Sequence, residues 1–311
     1  MRKQWVFISF VGAVLLFFCY AMFGLLSLEE EKAPLSITVI LSESSHGRWQ
    51  AFREGLEMGA KEANAIINVV STVRFSSFEE ECALVSREVS AQADALIVEP
   101  VGEDGSLLEE AAQGLPVMLA VSSLPGSPYP SLGVSPEKMG EALAEEMDQD
   151  RNEGEVKIAL LSGNQNQTLQ KEIRAALLSA LSQRGLSPEW ELDYKKLHSG
   201  GMLSLFMEAK GADVLFCLDN DATEAAASYL EKRDRSCLLY GVGRSENAIS
   251  YLDMGLIKTL LVPDEYYMGY LCVKELSSQE AHESQEVDFF PARQDNMFSV
   301  PGDRILFPMA G

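Results

Sequence analysis

Short polar segments follow several apolar runs in this sequence, and they contain the side chains best suited to bind a ligand. Residues 42–46 read Ser-Glu-Ser-Ser-His, and residues 219–221 read Asp-Asn-Asp. Other polar residues that follow apolar runs are Ser122, Gln167 and Arg244. Hydroxyl, carboxylate, amide and guanidinium groups form hydrogen bonds with polar ligands. These residues therefore predict reversible binding of a small polar molecule.

Each of the stronger candidates has two interpretations. Trp49 stacks its flat face on a ligand ring, or it is a partly buried surface tryptophan. Asp219 contacts the ligand, or an acid of this segment only caps the helix that follows. His46 and Lys171 contact ligand oxygens, or they are exposed to solvent. The full set of candidate binding residues is Glu43, Ser44, His46, Trp49, Ser122, Gln167, Lys171, Asp219, Asp221 and Arg244.

The sequence contains no recognisable enzymatic motif. Its three histidines, at positions 46, 198 and 282, are far apart, and HExxH, GxSxG, P-loop and Rossmann glycine patterns are missing. Four of the five cysteines lie beyond the N-terminal apolar run and lack CxxC spacing. We interpret them as small buried hydrophobic residues, with a disulfide as the alternative. We therefore predict a protein that is not an enzyme and needs no metal or cofactor.

A long internal repeat supplies the elements that position these residues. Residues 93–98 read Ala-Asp-Ala-Leu-Ile-Val and residues 212–217 read Ala-Asp-Val-Leu-Phe-Cys, at an offset of 119 (212 − 93). Residues 37–42 match residues 157–162 at an offset of 120 (157 − 37). A fixed long period of strand and helix indicates two copies of one α/β unit. We therefore predict an α/β fold with two doubly wound parallel-sheet lobes and a ligand cleft at their strand ends.

Several segments occur in an order typical of one protein family. They are Ile-Thr-Val-Ile-Leu-Ser at 37–42, Phe-Arg-Glu-Gly at 52–55, Ala-Asp-Ala-Leu-Ile-Val-Glu-Pro at 93–100, Val-Leu-Phe-Cys-Leu-Asp-Asn-Asp at 214–221 and Leu-Tyr-Gly-Val-Gly at 239–243. The chain thus resembles the periplasmic sugar-binding proteins of the ribose-binding type over about residues 36–300. The resemblance implies the type 1 fold, in which two lobes joined by three crossings close on a ligand by hinge motion.

The resemblance also implies a domain division and a membrane partner. Residues 36–134 and 264–292 are expected to form the N-terminal lobe, and residues 135–263 and 293–311 the C-terminal lobe. The implied function is that of a substrate-binding protein of an ABC-type transporter, which delivers its ligand to a membrane permease. The alternative is a sensory partner of a membrane histidine kinase or chemoreceptor.

The binding residues differ from those that this family usually carries. Val121 and Ser122 stand where the family has an Asp-Arg pair, and Lys171 stands near a usual arginine. Asp219 and Gly243 replace a usual asparagine and a usual aspartate. Arginine and carboxylate groups clamp neighbouring sugar hydroxyls, and a lysine does not offer the same planar fork. The resemblance therefore implies a carbohydrate or similar polar ligand without implying ordinary ribose or galactose recognition.

Charge and the N-terminal residues predict the location of the protein. The net charge of −22 argues against nucleic acid as a partner, because phosphate backbones would be repelled. Arg2 and Lys3 precede an uncharged, mostly apolar run at residues 5–28, which exceeds the roughly 20 residues needed to span a bilayer. The basic flank predicts a single-pass signal-anchor in the cell membrane, with residues 1–35 as cytoplasmic tip, anchor and tether and with an extracytoplasmic binding domain. A cleaved signal peptide is the alternative.

Overall fold

A computed structural model defines the fold. Residues 1–34 and residues 35–311 are two separate compact units, and all the strands below belong to the second unit. Within the described residues, no helix is both long enough and apolar enough to cross a membrane. The structure describes residues 12, 18, 33–42, 49–71, 75, 77–102, 104–151, 154–162, 168–193, 201–233 (backbone alone at 201 and 202), 237–278 and 283–308.

Strands and helices alternate along most of the chain. The strands of the described residues are β1 (Leu35–Leu41), β2 (Ala65–Ser71), β3 (Ala95–Val98), β4 (Val117–Val121), β5 (Ser131–Gly133), β6 (Ile158–Ser162), β7 (Pro188–Asp193), β8 (Val214–Cys217), β9 (Leu238–Val242), β10 (Thr259–Pro263), β11 (Gln285–Glu286) and β12 (Phe289–Ala292). Their helices are α1 (Gln50–Ala63), α2 (Phe78–Ser90), α3 (Gly105–Ala112), α4 (Pro136–Asp150), α5 (Thr168–Gln183), α6 (Gly201–Ala209), α7 (Asn220–Glu231), α8 (Glu246–Asp253), α9 (Glu265–Ser277) and α10 (Gly302–Leu306).

The strands form two six-stranded sheets, one in each lobe. The first has the order β11-β5-β4-β3-β1-β2 and the second the order β12-β10-β9-β8-β6-β7. Neighbouring strands are parallel except for β10 and β12, which are antiparallel. The run β4-β3-β1-β2 has the same arrangement as β9-β8-β6-β7, so the two halves of the sequence repeat occupy equivalent positions. The predicted fold class, two parallel-sheet lobes, is confirmed.

The chain passes between the sheets three times. The first passage follows β5 and the second follows β10, because β11 lies in the first sheet. The third separates β11 from β12, which pairs with β10 of the second sheet. Assignment of residues 264–292 to the first lobe was therefore wrong at its end, because the chain has already returned to the second lobe at Phe289. Short tail strands give little hydrophobic periodicity from which to locate such a boundary.

Each lobe has its own buried core around strands that helices cover on both faces. All four residues of β3 and all four of β8 are buried, as expected for central parallel strands. Cys82, Cys217 and Cys272 are buried free thiols, and Cys237 is a half-buried free thiol. Their interpretation as buried packing residues is therefore confirmed for Cys82, Cys217 and Cys272, whereas Cys237 is only half-buried.

Two glycines allow α1 and α9 to pack in close contact. A Cβ atom at Gly55 would lie 1.9 Å from the carbonyl oxygen of Tyr266, and a Cβ atom at Gly269 would lie 2.2 Å from that of Phe52. A larger side chain at either position would force the helices apart. Because α9 follows β10 of the second sheet, this contact holds the returning chain on the first lobe.

Candidate ligand-binding site

The strand ends of the two lobes face each other. Thr168 begins α5, the next described element after β6, and Gly102 follows β3 in the other lobe. The Thr168 hydroxyl donates a hydrogen bond to the Gly102 carbonyl oxygen at 3.3 Å. Parallel strands have all their carboxyl ends at one edge of the sheet, which is where such sheets bind ligands. The two lobes therefore form a cleft between these edges.

Six polar residues at the ends of β1, β3, β4, β6, β8 and β9 are largely buried. Each lies at, or within two positions after, the end of a strand. Burial of polar groups is unfavourable unless they form hydrogen bonds, so these residues are the candidates for polar contacts at the cleft. We call them the strand-end residues: Ser42, Glu99 and Ser122 in the first lobe, and Ser162, Asp219 and Arg244 in the second.

Glu99 connects two parts of the first lobe at the cleft. Its Oε2 atom accepts a hydrogen bond from the Ser42 backbone N–H at 3.2 Å. Nearby, the fully buried Glu81 of α2 accepts a bond from the Val101 backbone N–H at 3.1 Å. Burial raises the pKa of Glu81 to about 8, and the negative charge of Glu99 contributes to the increase. The Glu81 carboxyl group is therefore protonated at neutral pH.

The structure assigns Trp49 to the core of the first lobe. Its side chain is 1% exposed, packs edge-on against Phe52 with ring centroids 5.4 Å apart, and donates its indole N–H to the Ser42 carbonyl oxygen at 3.3 Å. In this conformation the ring is too deeply buried to stack on a ligand. The stacking interpretation is therefore corrected, because the ring packs against Phe52 inside the core.

Ser122 follows a strained turn at the end of β4. Its backbone N–H donates to the Ala120 carbonyl oxygen at 2.9 Å, and the intervening Val121 has a φ of 74°. This three-residue turn is unfavourable for a β-branched residue. Backbone strain of this kind is concentrated at functional sites. Val121 and Ser122 are also the residues that replace the Asp-Arg pair expected from the resemblance.

Asp219 follows β8 of the second lobe and caps the N-terminus of α7. Its Oδ1 atom accepts a hydrogen bond from the Ala222 backbone N–H at 2.9 Å, and its Oδ2 atom accepts one from the Ser162 hydroxyl at 3.4 Å. Asp221 lies in the first turn of the same helix and is half-buried. The capping interpretation of Asp219 is confirmed, and ligand contact by either acid stays a prediction.

Arg244 is held at the side of the cleft by the C-terminal segment. Its Nε–H donates to the Leu306 carbonyl oxygen at 3.1 Å. Burial lowers the pKa of Arg244, and the charges of Glu265, Glu54 and Glu246 oppose that decrease. Glu54 belongs to α1 and Glu265 to α9, and both helices pack on the first lobe. The positive charge of Arg244 in the second lobe is therefore attracted to two carboxylates of helices that pack on the first lobe. Ligand contact by Arg244 stays a prediction.

Lys171 lines a small cavity at the start of α5. The cavity has a volume of about 270 Å³ and is also lined by Ser162, Gln170, Arg174 and Glu191. Arg174 donates two hydrogen bonds to Glu191, at 2.6 and 2.8 Å. The cavity thus brings a strand-end hydroxyl, an amide, an ammonium group and a bidentate ion pair together at the carboxyl edge of the second sheet.

Comparison with known proteins identifies the family of this chain. The family model of the periplasmic binding protein domain matches residues 37–283. The chain belongs to the periplasmic binding protein family. Comparison with curated proteins gave no match.

Solved structures of periplasmic binding proteins share the fold of the chain. A carbohydrate-transporter solute-binding protein from Agrobacterium radiobacter in complex with D-arabinose has a TM-score of 0.80 and 15% identity, covering 89% of this chain and 100% of that one. GanP, a glucose-galactose binding protein from Geobacillus stearothermophilus, has a TM-score of 0.77 and 16% identity, with coverages of 87% and 100%. The XylFII-LytSN complex has a TM-score of 0.75 and 18% identity, with coverages of 84% and 98%.

The predicted site residues of this periplasmic binding protein fall into three groups, the first of which is Trp49 in the first-lobe core and Asp221 in the first turn of α7. Glu43, Ser44, His46 and Gln167 lie outside the described residues, so their roles stay predictions. Ser122, Asp219 and Arg244 lie at the carboxyl edges of the two sheets, and Lys171 lines the adjacent cavity.

Sequence reasoning did not select Glu81, Thr168 or Gln170. The three residues lie in helices, where a polar residue usually indicates a solvent-exposed face. The available signal was position: Thr168 and Gln170 belong to the first turn after a strand of the repeat.

Proposed function

We propose that this periplasmic binding protein binds a small polar ligand, a sugar or a sugar-like molecule, in the cleft for an ABC-type transporter. The observation that carries the proposal is the set of buried strand-end residues at the facing edges of two parallel sheets. Hydroxyl and carboxylate groups in such a setting suit a polyhydroxylated ligand. Similar proteins solved with D-arabinose or named for glucose and galactose support the ligand class.

Isothermal titration calorimetry tests this proposal directly. Residues 33–311 are titrated with D-arabinose, D-galactose, D-glucose and D-tagatose, and small-angle X-ray scattering measures the radius of gyration with and without each sugar. We expect saturable heat with at least one sugar and a smaller radius in its presence, because hinge closure brings the lobes together. L-arabinose is the control, since a chiral site distinguishes enantiomers. The absence of both binding heat and closure with every sugar tested would contradict the proposal.

The proposal includes a membrane anchor at residues 5–28. Its support is the apolar, uncharged composition of this run after Arg2 and Lys3. Membrane fractionation of the full chain, with protease digestion from the outside of the cell, is the test. We expect a membrane-bound protein that retains Met1 and whose binding domain is digested from outside. A mature chain that begins after residue 28 would reject the anchor in favour of a cleaved signal peptide.

A sensory partner is the second candidate function, in place of uptake. The observation in its favour is that XylFII, a structural neighbour, was solved in a complex with LytSN. Affinity purification of the full chain from membranes separates the two candidates. Recovery of a permease supports uptake, whereas recovery of a sensor kinase that is retained only with bound sugar supports sensing.

A further inference from the structure

The two sheets end in four edge strands, and three of these strands are protected against pairing with another chain. β7 carries three acidic residues, β11 is two residues long, and β12 contains Pro291. Charge, shortness and proline are features by which proteins keep an edge strand from pairing. β2 has none of them, because its seven residues are uncharged and include no proline. The edge of β2 is therefore suited to pair with a further strand.

The side chains and the backbone of β2 both favour such pairing. Ile66 is 51% exposed and Val69 is 37% exposed. Leu35 of β1 donates its backbone N–H to the Asn64 carbonyl oxygen at 3.1 Å. Alternate residues of a strand direct their backbone groups to the same neighbour, so the even-numbered residues of β2 bond to β1. Ile67 and Val69 therefore direct theirs to the outer edge, where no strand of the described chain pairs.

The flank of α1 beside this edge carries one charge of each sign. A cavity of about 310 Å³ between α1 and β2 is lined by Arg53, Leu56, Glu57, Ile67 and Val69. A helix that connects two parallel strands runs antiparallel to them. Arg53 therefore lies towards the carboxyl end of β2, and Glu57 lies towards its amino end. An antiparallel copy of the same edge would bring its own glutamate level with Arg53 and its own arginine level with Glu57.

We propose that β2 pairs antiparallel with β2 of a second copy of this chain, so that the first lobes form a dimer with one continuous sheet. A two-fold axis at Asn68 pairs Ile67 with the partner's Val69, through the backbone groups that point to the edge. The same axis places Ile66 opposite the partner's Val70. These pairs are β-branched and apolar, and such cross-strand pairs stabilise a sheet.

The charge of the chain favours a second copy over a basic protein as the partner. The net charge is −22, so a basic protein would be attracted to the acidic surface in general and not to an uncharged strand. Two acidic copies repel each other least where they meet through a neutral strand flanked by opposite charges. The ligand cleft lies at the carboxyl ends of the strands and β2 at the side of the sheet, so the dimer leaves the cleft accessible. The inference therefore goes beyond the proposed function and does not depend on it.

Disulfide cross-linking of the full chain in membranes tests the proposal. At the axis, Asn68 and its symmetry mate form a non-hydrogen-bonded pair with Cα atoms about 4.5 Å apart, which lies within the range of a disulfide. Oxidised Asn68→Cys should therefore run at twice the mass of the chain on a non-reducing gel. Glu110→Cys, exposed on α3 of the same lobe, should give no more dimer than the wild type, which controls for the native cysteines.

A second substitution tests the edge itself. Val69→Lys, added to Asn68→Cys, places a charge beside the axis and should abolish the cross-link. Leu205→Lys, at an exposed apolar position of α6 in the second lobe, should leave the cross-link unchanged. Circular dichroism verifies that each variant is folded, and Ile66→Lys replaces Val69→Lys if the latter does not fold.

Sedimentation of the wild type in detergent measures association without a cross-link, and we expect a dimer. A monomer at about 100 μM, the absence of the cross-link in Asn68→Cys, or a cross-link that persists with the added lysine at the edge would overturn the inference. None of these results bears on whether the cleft binds a sugar, so the proposed function stands or falls separately.

Discussion

Burial of the Glu81 carboxyl group couples the stability of the protein to pH. The folded state holds a proton up to a pKa of about 8, whereas the ordinary value is 4.5. Between these values the folded protein binds a proton that the unfolded chain releases, so the free energy of unfolding falls as pH rises. The stabilisation is complete below about pH 4.5 and is lost as pH passes through about 8. Urea denaturation at a series of pH values measures this slope.

Replacement of Glu81 by glutamine should flatten that slope. The amide keeps the shape of the protonated carboxyl group and cannot ionise, so the variant should lose less stability than the wild type between pH 5 and pH 8. Glu110→Gln, which alters an exposed residue of α3, should retain the wild-type slope. A slope in Glu81→Gln equal to that of the wild type would show that Glu81 is not the group responsible for the pH dependence of stability.

Asp219 has a capping role that is separable from ligand contact. Asp219→Ala removes the acceptor for the Ala222 N–H and should lower the free energy of unfolding by about 1 kcal/mol. Asp219→Asn should keep the cap, because asparagine is an equally good capping residue. Urea denaturation compares both with Glu231→Ala at the exposed far end of α7, which should change stability by less than about 0.5 kcal/mol. Equal stability of the alanine variant and the wild type would contradict the capping role.

At the scale of elements, the close contact of α1 and α9 holds the returning chain. Gly269→Ala places a methyl group where the Phe52 carbonyl oxygen leaves no space. We expect the free energy of unfolding to fall by about 1–3 kcal/mol, the usual cost of overpacking. Ser182→Ala, at an exposed position of α5, is the control and should stay within about 0.5 kcal/mol of the wild type. Thermal and urea unfolding measure both variants. An unchanged free energy of unfolding in Gly269→Ala would mean that the helices separate at little cost.

At the scale of the whole molecule, the Thr168–Gly102 hydrogen bond joins the lobes across the cleft. Thr168→Val keeps the shape and removes the donor. With a net value of about 1 kcal/mol for one hydrogen bond, the ratio of closed to open molecules should fall about fivefold. Fluorescence energy transfer between dyes at positions 110 and 231, exposed in different lobes, measures that ratio.

Thr223→Val is the matched control for this experiment. The Thr223 hydroxyl bonds to the Asp219 carbonyl oxygen within the second lobe, so its loss should affect stability and not lobe closure. An unchanged transfer efficiency in Thr168→Val would show that other contacts hold the lobes together.

The sequence alone was sufficient to predict the two lobes. Apolar runs such as residues 37–42 and 157–162 recur at a fixed offset, and parallel strands covered on both faces require such runs. The same logic placed Asp219 and Arg244 at the cleft edges, because a residue that follows a buried parallel strand must lie at its carboxyl end. These are local properties, which depend on each residue and its neighbours in the chain.

Tertiary packing decided which polar and aromatic side chains are buried. Trp49 is enclosed by the first-lobe core, Glu81 is buried with Glu99 nearby, and Gln170 lies in a cavity with Glu191 of β7. The position of β12 in the second sheet likewise follows from its pairing with a strand that lies 26 residues earlier (289 − 263). Burial and pairing depend on contacts between distant parts of the chain. No local pattern of residue types records those contacts.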